Sequence, residues 1–317
     1  MGKKEKKYEV ISVGGVTRDI LFYSGEGELL KTGNLTKQRL LAFEYGAKIL
    51  ADKIYLTFGG GAANTSASFA KMGLKAAIVS RVGDDDNGYE AIKNLAGHQV
   101  NTSLIKKSAG VQTAFSLILT ISNAAKEHIA FIYRGASDLL SSHDLISRVE
   151  TDWYYVSSLP KKNWEGIMSS LIKTGKNIAW NPGGEQLQEI AKMKKFLSKI
   201  KLFVVNRDEA LEFKKLKDIK GLIRHIHGLG PKIVVITDGA SGAYAFDGKK
   251  YYFMKVKAVK AVNTLGVGDA FNSAFTAALI YGKNIKEALK WGMNNSASVV
   301  THIGAQKGLL NRRQAGR

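Results

Sequence analysis

Short apolar runs of strand length alternate along most of the chain with segments whose apolar residues recur every three or four positions. The runs at 9–13, 76–82, 153–156, 202–205 and 232–237 are rich in Val, Ile, Leu and aromatic residues, as expected of strands covered on both faces. Between them, 64–72, 88–95, 164–174, 208–216 and 219–229 carry the one-sided spacing of amphipathic helices. This order predicts an α/β fold with a mostly parallel central sheet flanked by helices. No Pro-, Gly- or Ser-rich linker interrupts it, so 1–317 reads as a single domain.

Two stretches break the pattern. The first, 17–57, holds a turn-rich piece at 24–28 and a helix-like piece around 38–51. The second alternates as Phe115, Leu117, Leu119 and Ile121, then as Ile129, Phe131 and Tyr133, which predicts a hairpin across 111–133. Strands inserted between α/β units often cover a site, so the segments at about 17–57 and 111–134 are expected to form a small β-strand lid. A lid of this kind leaves an apolar face and a sheet edge uncovered, which predicts a homodimer.

Composition narrows the chemistry. The chain has 317 residues, 45% hydrophobic and 23% charged, as in ordinary globular proteins. It has no cysteine, which removes disulfides, thiolate metal sites and a cysteine nucleophile together. The net charge of +20 would suit a polyanion binder, but the lysines are scattered and lack aromatic interleaving, so no nucleic-acid partner is expected. Apolar runs stay well short of the roughly 18 residues a membrane span needs, and the basic start leads to no cleavage site. The expectation is a cytoplasmic protein with no membrane partner. His225 and His227 are two apart on a helical segment and face different ways, so they make no metal pair.

The most informative segment is Asn263-Thr264-Leu265-Gly266-Val267-Gly268-Asp269, followed by apolar residues at helical spacing. A glycine loop that opens a helix presents unpaired, partly positive amides, which attract phosphate oxygens. Alone, such a G-x-G-D reads first as a turn with an ordinary helix-start carboxylate, and other segments must decide. No complete G-x-x-x-x-G-K-[ST] or G-x-G-x-x-G is present, so any nucleotide is bound by other means.

Taken together, the motifs resemble the ribokinase-like, or PfkB, carbohydrate kinases. The loop at 263–269 is similar to that family's D-T-x-G-A-G-D element. Gly59-Gly60-Gly61-Ala62-Ala63-Asn64 is similar to its G-G-x-x-x-N, Asn206-Arg207-Asp208-Glu209 to its N-x-x-E, and Thr237-Asp238-Gly239-Ala240-Ser241-Gly242 to its T-x-G-x-x-G turn. Gly83-Asp84-Asp85 and Gly304-Ala305-Gln306 add to the series, and the elements appear in family order.

The resemblance implies a kinase that moves the γ-phosphoryl group of ATP to a hydroxyl of a small sugar. It makes Asp269 the base and Gly266, Val267 and Gly268 the anion hole. It assigns Asp19, Gly59, Gly60, Asn64 and Arg134 to the acceptor, with a structural salt bridge as an equal alternative for Arg134. Asn206, Glu209, Thr237, Gly239, Gly242 and Thr264 fall to ATP, with Glu209 and Asn206 holding Mg²⁺ through water. Asn263 stands where the family usually has Asp, which weakens the expectation of a potassium site. A nucleoside kinase on the same fold is the alternative, and a catalytically silent sugar or nucleotide sensor is a more distant one. An aromatic sandwich near Phe22, Tyr23, Phe115 or Phe131 would favour a purine, and a small polar pocket a bare sugar.

Overall fold

In the computed structural model, which describes residues 7–31, 39–121, 128–145 and 149–317, nine strands make one sheet. Their order is Tyr251–Met254, Ala243–Phe246, Ile233–Thr237, Leu202–Asn206, Asn177–Trp180, Glu150–Val156, Lys7–Val13, Ala76–Gly83 and Ile105–Ser108. Every pairing from Ile233–Thr237 to Ile105–Ser108 is parallel, and the first two strands close one edge antiparallel.

The near-continuous apolar runs arise because side chains alternate between two covered faces. Trp153 and Tyr155 enter one core, Tyr154 and Val156 the other. The helices Gly61–Lys71, Asp86–Gly97, Val267–Ile280 and Ile285–Val299 cover the first face, and Trp164–Lys173, Ile190–Leu197 and Ile219–Gly228 the second. Full burial contributes about 1.5–3 kcal/mol for each large side chain, so the two layers hold the strand ends firmly in place.

Polar knots tie down the helix that carries Asp269. Ser273 Oγ lies 2.7 Å from Ser68 Oγ, and Asn295 Nδ2 donates to the Ala270 carbonyl at 2.8 Å. Gly292 lets this helix approach closely, since a Cβ there would meet the Phe271 ring at 2.7 Å.

The two irregular segments form a second sheet, ordered Lys53–Gly59, Thr17–Ser24, Phe115–Ile121 and Ile129–Tyr133. Its central pair is parallel and its outer pairs are antiparallel. The hairpin over 111–133 is present as strands, while its tip at 122–127 lies outside the described residues. The expected helix around 38–51 is not formed. Arg39–Ala42 is instead a strand paired with Glu28–Lys31, and a turn follows. A helix there would need a covered apolar stripe, but Leu40, Tyr45 and Leu50 are all exposed, so cross-strand pairing satisfies the backbone instead.

Candidate active site

The site lies at the carboxyl ends of the parallel strands, under the lid. Gly266 caps the helix Val267–Ile280 with φ +69°, and a Cβ on it would sit 2.2 Å from that of Ala305. Glycine is therefore required for the turn that aims this helix. No side chain caps the helix, and apart from a long 3.4 Å bond from the Val267 amide to the Thr264 carbonyl its first-turn amides remain available to an anion. Gly268 faces open space, and Asp269 sits in the same turn.

Asp269 Oδ2 accepts from Asn64 Nδ2 at 2.8 Å. Burial pushes its carboxyl up to about 6, and the Asn64 bond opposes that rise. Asn64 itself lies within the helix Gly61–Lys71, whose N-cap is Gly60, so it does not cap that helix.

Asp19 is 4% exposed on the inward face of the lid strand Thr17–Ser24. Burial raises its carboxyl to about 6 as well, against hydrogen bonds from Thr17 and Ser116, and the charge of Asp269 adds to the rise. Arg18 points to the opposite face of the lid, with its guanidinium 4.4 Å from the centre of the Phe58 ring. The glycine run passes between the two carboxylates. A Cβ on Gly59 would fall 2.0 Å from Asp19 Oδ2, one on Gly60 2.5 Å from the Gly15 carbonyl, and one on Gly61 3.7 Å from Asp269 Oδ1. A Cβ on Gly61 would also meet Ser157 Cβ at 2.7 Å, so the chain can thread this gap only without side chains at all three positions.

On the far side of Asp269 a cavity of about 190 Å³ is lined by Asn181, Asn206, Glu209, Thr237, Gly268 and Asn272, among others. Asn206 and Glu209 form a capping box: Asn206 Oδ1 accepts from the Glu209 amide and Glu209 Oε2 from the Asn206 amide, both at 2.8 Å. Burial raises the Glu209 carboxyl, with Asp208 and Asp269 adding to it. Thr237 ends its strand at the cavity wall, and Gly239 and Gly242 turn the chain beyond it, both with positive φ. Thr264 is exposed on the approach to the glycine loop.

Among the described residues no cluster of three His, Cys, Asp or Glu side chains stands ready for direct metal coordination. The cavity offers Glu209 and the buried, unpartnered Asn272 Oδ1. That all-oxygen set suits Mg²⁺ that keeps several of its waters. Asn263 Oδ1 accepts from the Leu265 amide at 3.0 Å and its Nδ2 donates to the Tyr23 hydroxyl at 3.3 Å, so it links the anion loop to the lid. Arg134, at the root of the lid, lies 3.7 Å from Glu185.

Tyr155 and Asn272 were not singled out in the sequence. Both sit inside core patterns, and only the fold brings Asn272 to the cavity wall, with the buried Tyr155 hydroxyl close to it.

The pfkB family of carbohydrate kinases is matched over residues 28–312. The ribokinase of Haemophilus influenzae is 24% identical over 302 residues, covering 89% of this chain and 95% of that protein. The nucleoside kinase of Methanocaldococcus jannaschii, an archaeal member of the ribokinase family, superposes with a TM-score of 0.79 at 19% identity, covering 97% of this chain and 96% of that one. Arabidopsis thaliana ribokinase, complexed with ribose and ATP, gives 0.77 at 20% identity, with 98% of each chain covered. Among the described residues no helix is long and apolar enough to cross a membrane.

Proposed function

Because the chain belongs to the pfkB family of carbohydrate kinases, we propose that it transfers the γ-phosphoryl group of ATP to a hydroxyl of a small sugar, with Asp269 as the base. The observation that carries this reading is the carboxylate of Asp269 in the first turn of an uncapped helix, between the Asp19 side of the site and the Glu209 cavity. Asp269 takes the hydroxyl proton as the acceptor oxygen bonds to the γ-phosphorus and the bond to the β-phosphate oxygen breaks, releasing ADP. The amides around Gly266, Val267 and Gly268 hold the charge of the moving group. Mg²⁺, held through water by Glu209 and Asn206, supplies charge neutralisation on the phosphates when bound. Asp19 accepts paired hydrogen bonds from neighbouring hydroxyls of the sugar, while Arg134 is paired with Glu185 at 3.7 Å.

Strand register favours a bare sugar over a nucleoside. Phe22, Phe115 and Phe131 fall on the face that carries Arg18 and Ile20, opposite Asp19. Three of the four aromatics able to sandwich a purine therefore point away from the site. The fourth, Tyr23, packs edge-on against Tyr55 and is engaged with Asn263.

The same outward face is apolar and exposed, with Leu56 at 60% and Phe131 at 59%. We infer a homodimer in which two lids cover each other's outer faces. The test of the acceptor class is transfer of labelled γ-phosphate from ATP to a panel of free sugars and nucleosides, with Asp269→Asn as the control for background hydrolysis. Transfer to a sugar alone is expected, and transfer confined to nucleosides would replace this reading with the nucleoside one.

A further inference from the structure

Behind Asp269, on the side away from the cavity, three amides from three separate elements line up in series. Asn94, on the helix Asp86–Gly97, donates from Nδ2 to Gln306 Oε1 at 2.7 Å. Gln306, in the turn after the last long helix, donates from Nε2 to Asn64 Oδ1 at 3.2 Å. Asn64 donates from Nδ2 to Asp269 Oδ2 at 2.8 Å. All three amides are at least partly buried, and none of them lines the cavity.

We propose that Asn94 and Gln306 are positioning residues for phosphoryl transfer: through Asn64 they hold Asp269 Oδ2 occupied and leave Oδ1 as the oxygen that takes the hydroxyl proton. This rests on the reading of Asp269 as the base.

The direction of the chain follows from chemistry rather than from the assignment of amide ends. An ionised carboxylate can only accept, so Asn64 must turn its nitrogen toward Asp269. Its oxygen then faces Gln306, which must present nitrogen, and the Gln306 oxygen in turn requires the nitrogen of Asn94. Each link fixes the next, so the series ties the base to the helix Asp86–Gly97, far along the chain. The amide dipoles run head to tail with their positive ends toward the carboxylate, and bonds in such a series polarise one another. The free oxygen Oδ1 faces the glycine run, as the 3.7 Å approach of a Cβ on Gly61 shows. A protonated Asp269 could instead donate to Asn64, which would let all three amides reverse. The orientation of the series is thus coupled to the protonation of the base, and the direction described belongs to its ionised, proton-accepting form.

The charged or titratable groups that face Asp269 from other elements are Asp19 on the lid, Glu209 beyond the cavity and Tyr155 beneath it. All three stay in place when Gln306 or Asn94 is changed, so their influence cancels in a comparison of variants.

The test is carbon-13 NMR titration of ligand-free protein labelled at the aspartate carboxyls, with the Asp269 signal identified by its loss in Asp269→Asn. Gln306→Leu keeps the bulk and removes the donor. It should raise the Asp269 midpoint above its value of about 6, by roughly half a pH unit. Asn94→Leu, on a partly exposed helix face, should raise it by less. The acid limb of kcat/KM should move upward by the same amounts, with kcat several-fold lower at neutral pH and the KM for ATP unchanged. A merely structural role would lower activity at every pH without moving the midpoint. If folded Gln306→Leu and Asn94→Leu both titrate like the parent while Asp269→Asn is inactive, the positioning role fails and the base stands. If Asp269→Asn itself still turns over, the base assignment fails first.

Discussion

At the floor of the site the polar atoms of Asp269, Asn64, Gln306 and Asn94 are matched to one another, and the helix that carries Asp269 is pinned by Ser68, Ser273 and Asn295. The lid above it is built the opposite way. Its inward face presents Asp19 at 4% exposure, while its outward face leaves Ile54, Leu56 and Phe131 with more than half of their surface in water. The floor is finished within one chain and the lid is not. Under the proposed function, a group that moves a proton needs one fixed geometry, and a cover that admits and releases a sugar needs an edge that can move. In the proposed dimer the lid's apolar surface is covered by a second lid, which leaves the inner edge able to move.

Asp19→Ala breaks the comparison most sharply, because Asp19 carries a buried carboxyl on the inward face of the lid. Loss of a hydrogen bond to a charged group costs about 1.5–3 kcal/mol, so acceptor affinity should fall by roughly one to two decades with ATP affinity unchanged. Calorimetry with each ligand separates the two, and equal weakening of both would remove Asp19 from the acceptor side.

The next effect is on stability and links the two regions through pH. Asp19 and Asp269 both have carboxyls raised from 3.8 to about 6 in the folded protein. Between those values the folded chain holds protons that the unfolded chain has released. Their contribution to stability is therefore full below about pH 4 and is lost as the pH rises through 6. Asp19→Asn should escape this loss and be more stable than the parent by about 1–2 kcal/mol at pH 7.5, with little difference at pH 4. Denaturant unfolding at the two pH values measures it, and a gain independent of pH would contradict the buried-carboxylate account.

The smallest effect on chemistry is expected at the lid's outer face. Leu56→Asp combined with Phe131→Asp should convert dimer to monomer in sedimentation, because each charge would have to be buried against the partner. The floor is untouched, so kcat should stay within about a factor of three of the parent when the acceptor is saturating. A parent protein that sediments as a monomer at high concentration would leave the outer face unexplained by lid pairing.

The parallel sheet was legible because buried strands announce themselves as apolar runs such as 202–205, whose residues have no exposed face to break the pattern. The glycine loop was legible because helix, turn and Asp269 are contiguous in the sequence. The segment at 38–51 was misread because its leucines and tyrosine suit a helix stripe equally well when nothing in the sequence says what would cover them. Asn206 and Glu209 show a different limit. Spacing of three residues serves both a metal-water shell and a capping box, and the fold reveals the box as present in this chain. The series from Asn94 to Asp269 joins residues at 94, 306, 64 and 269, so no local pattern could have disclosed it.

The central claim is that Asp269 removes the acceptor proton, and single-turnover phosphoryl transfer by Asp269→Asn tests it most directly. The substitution keeps the size of the side chain and an oxygen for Asn64 to donate to, so the protein should fold and bind ATP normally. With the preferred acceptor saturating, the rate of transfer should fall by about 10²–10⁴-fold, the range general-base catalysis supplies. A variant that binds both substrates and transfers phosphate at close to the parent rate would contradict the account.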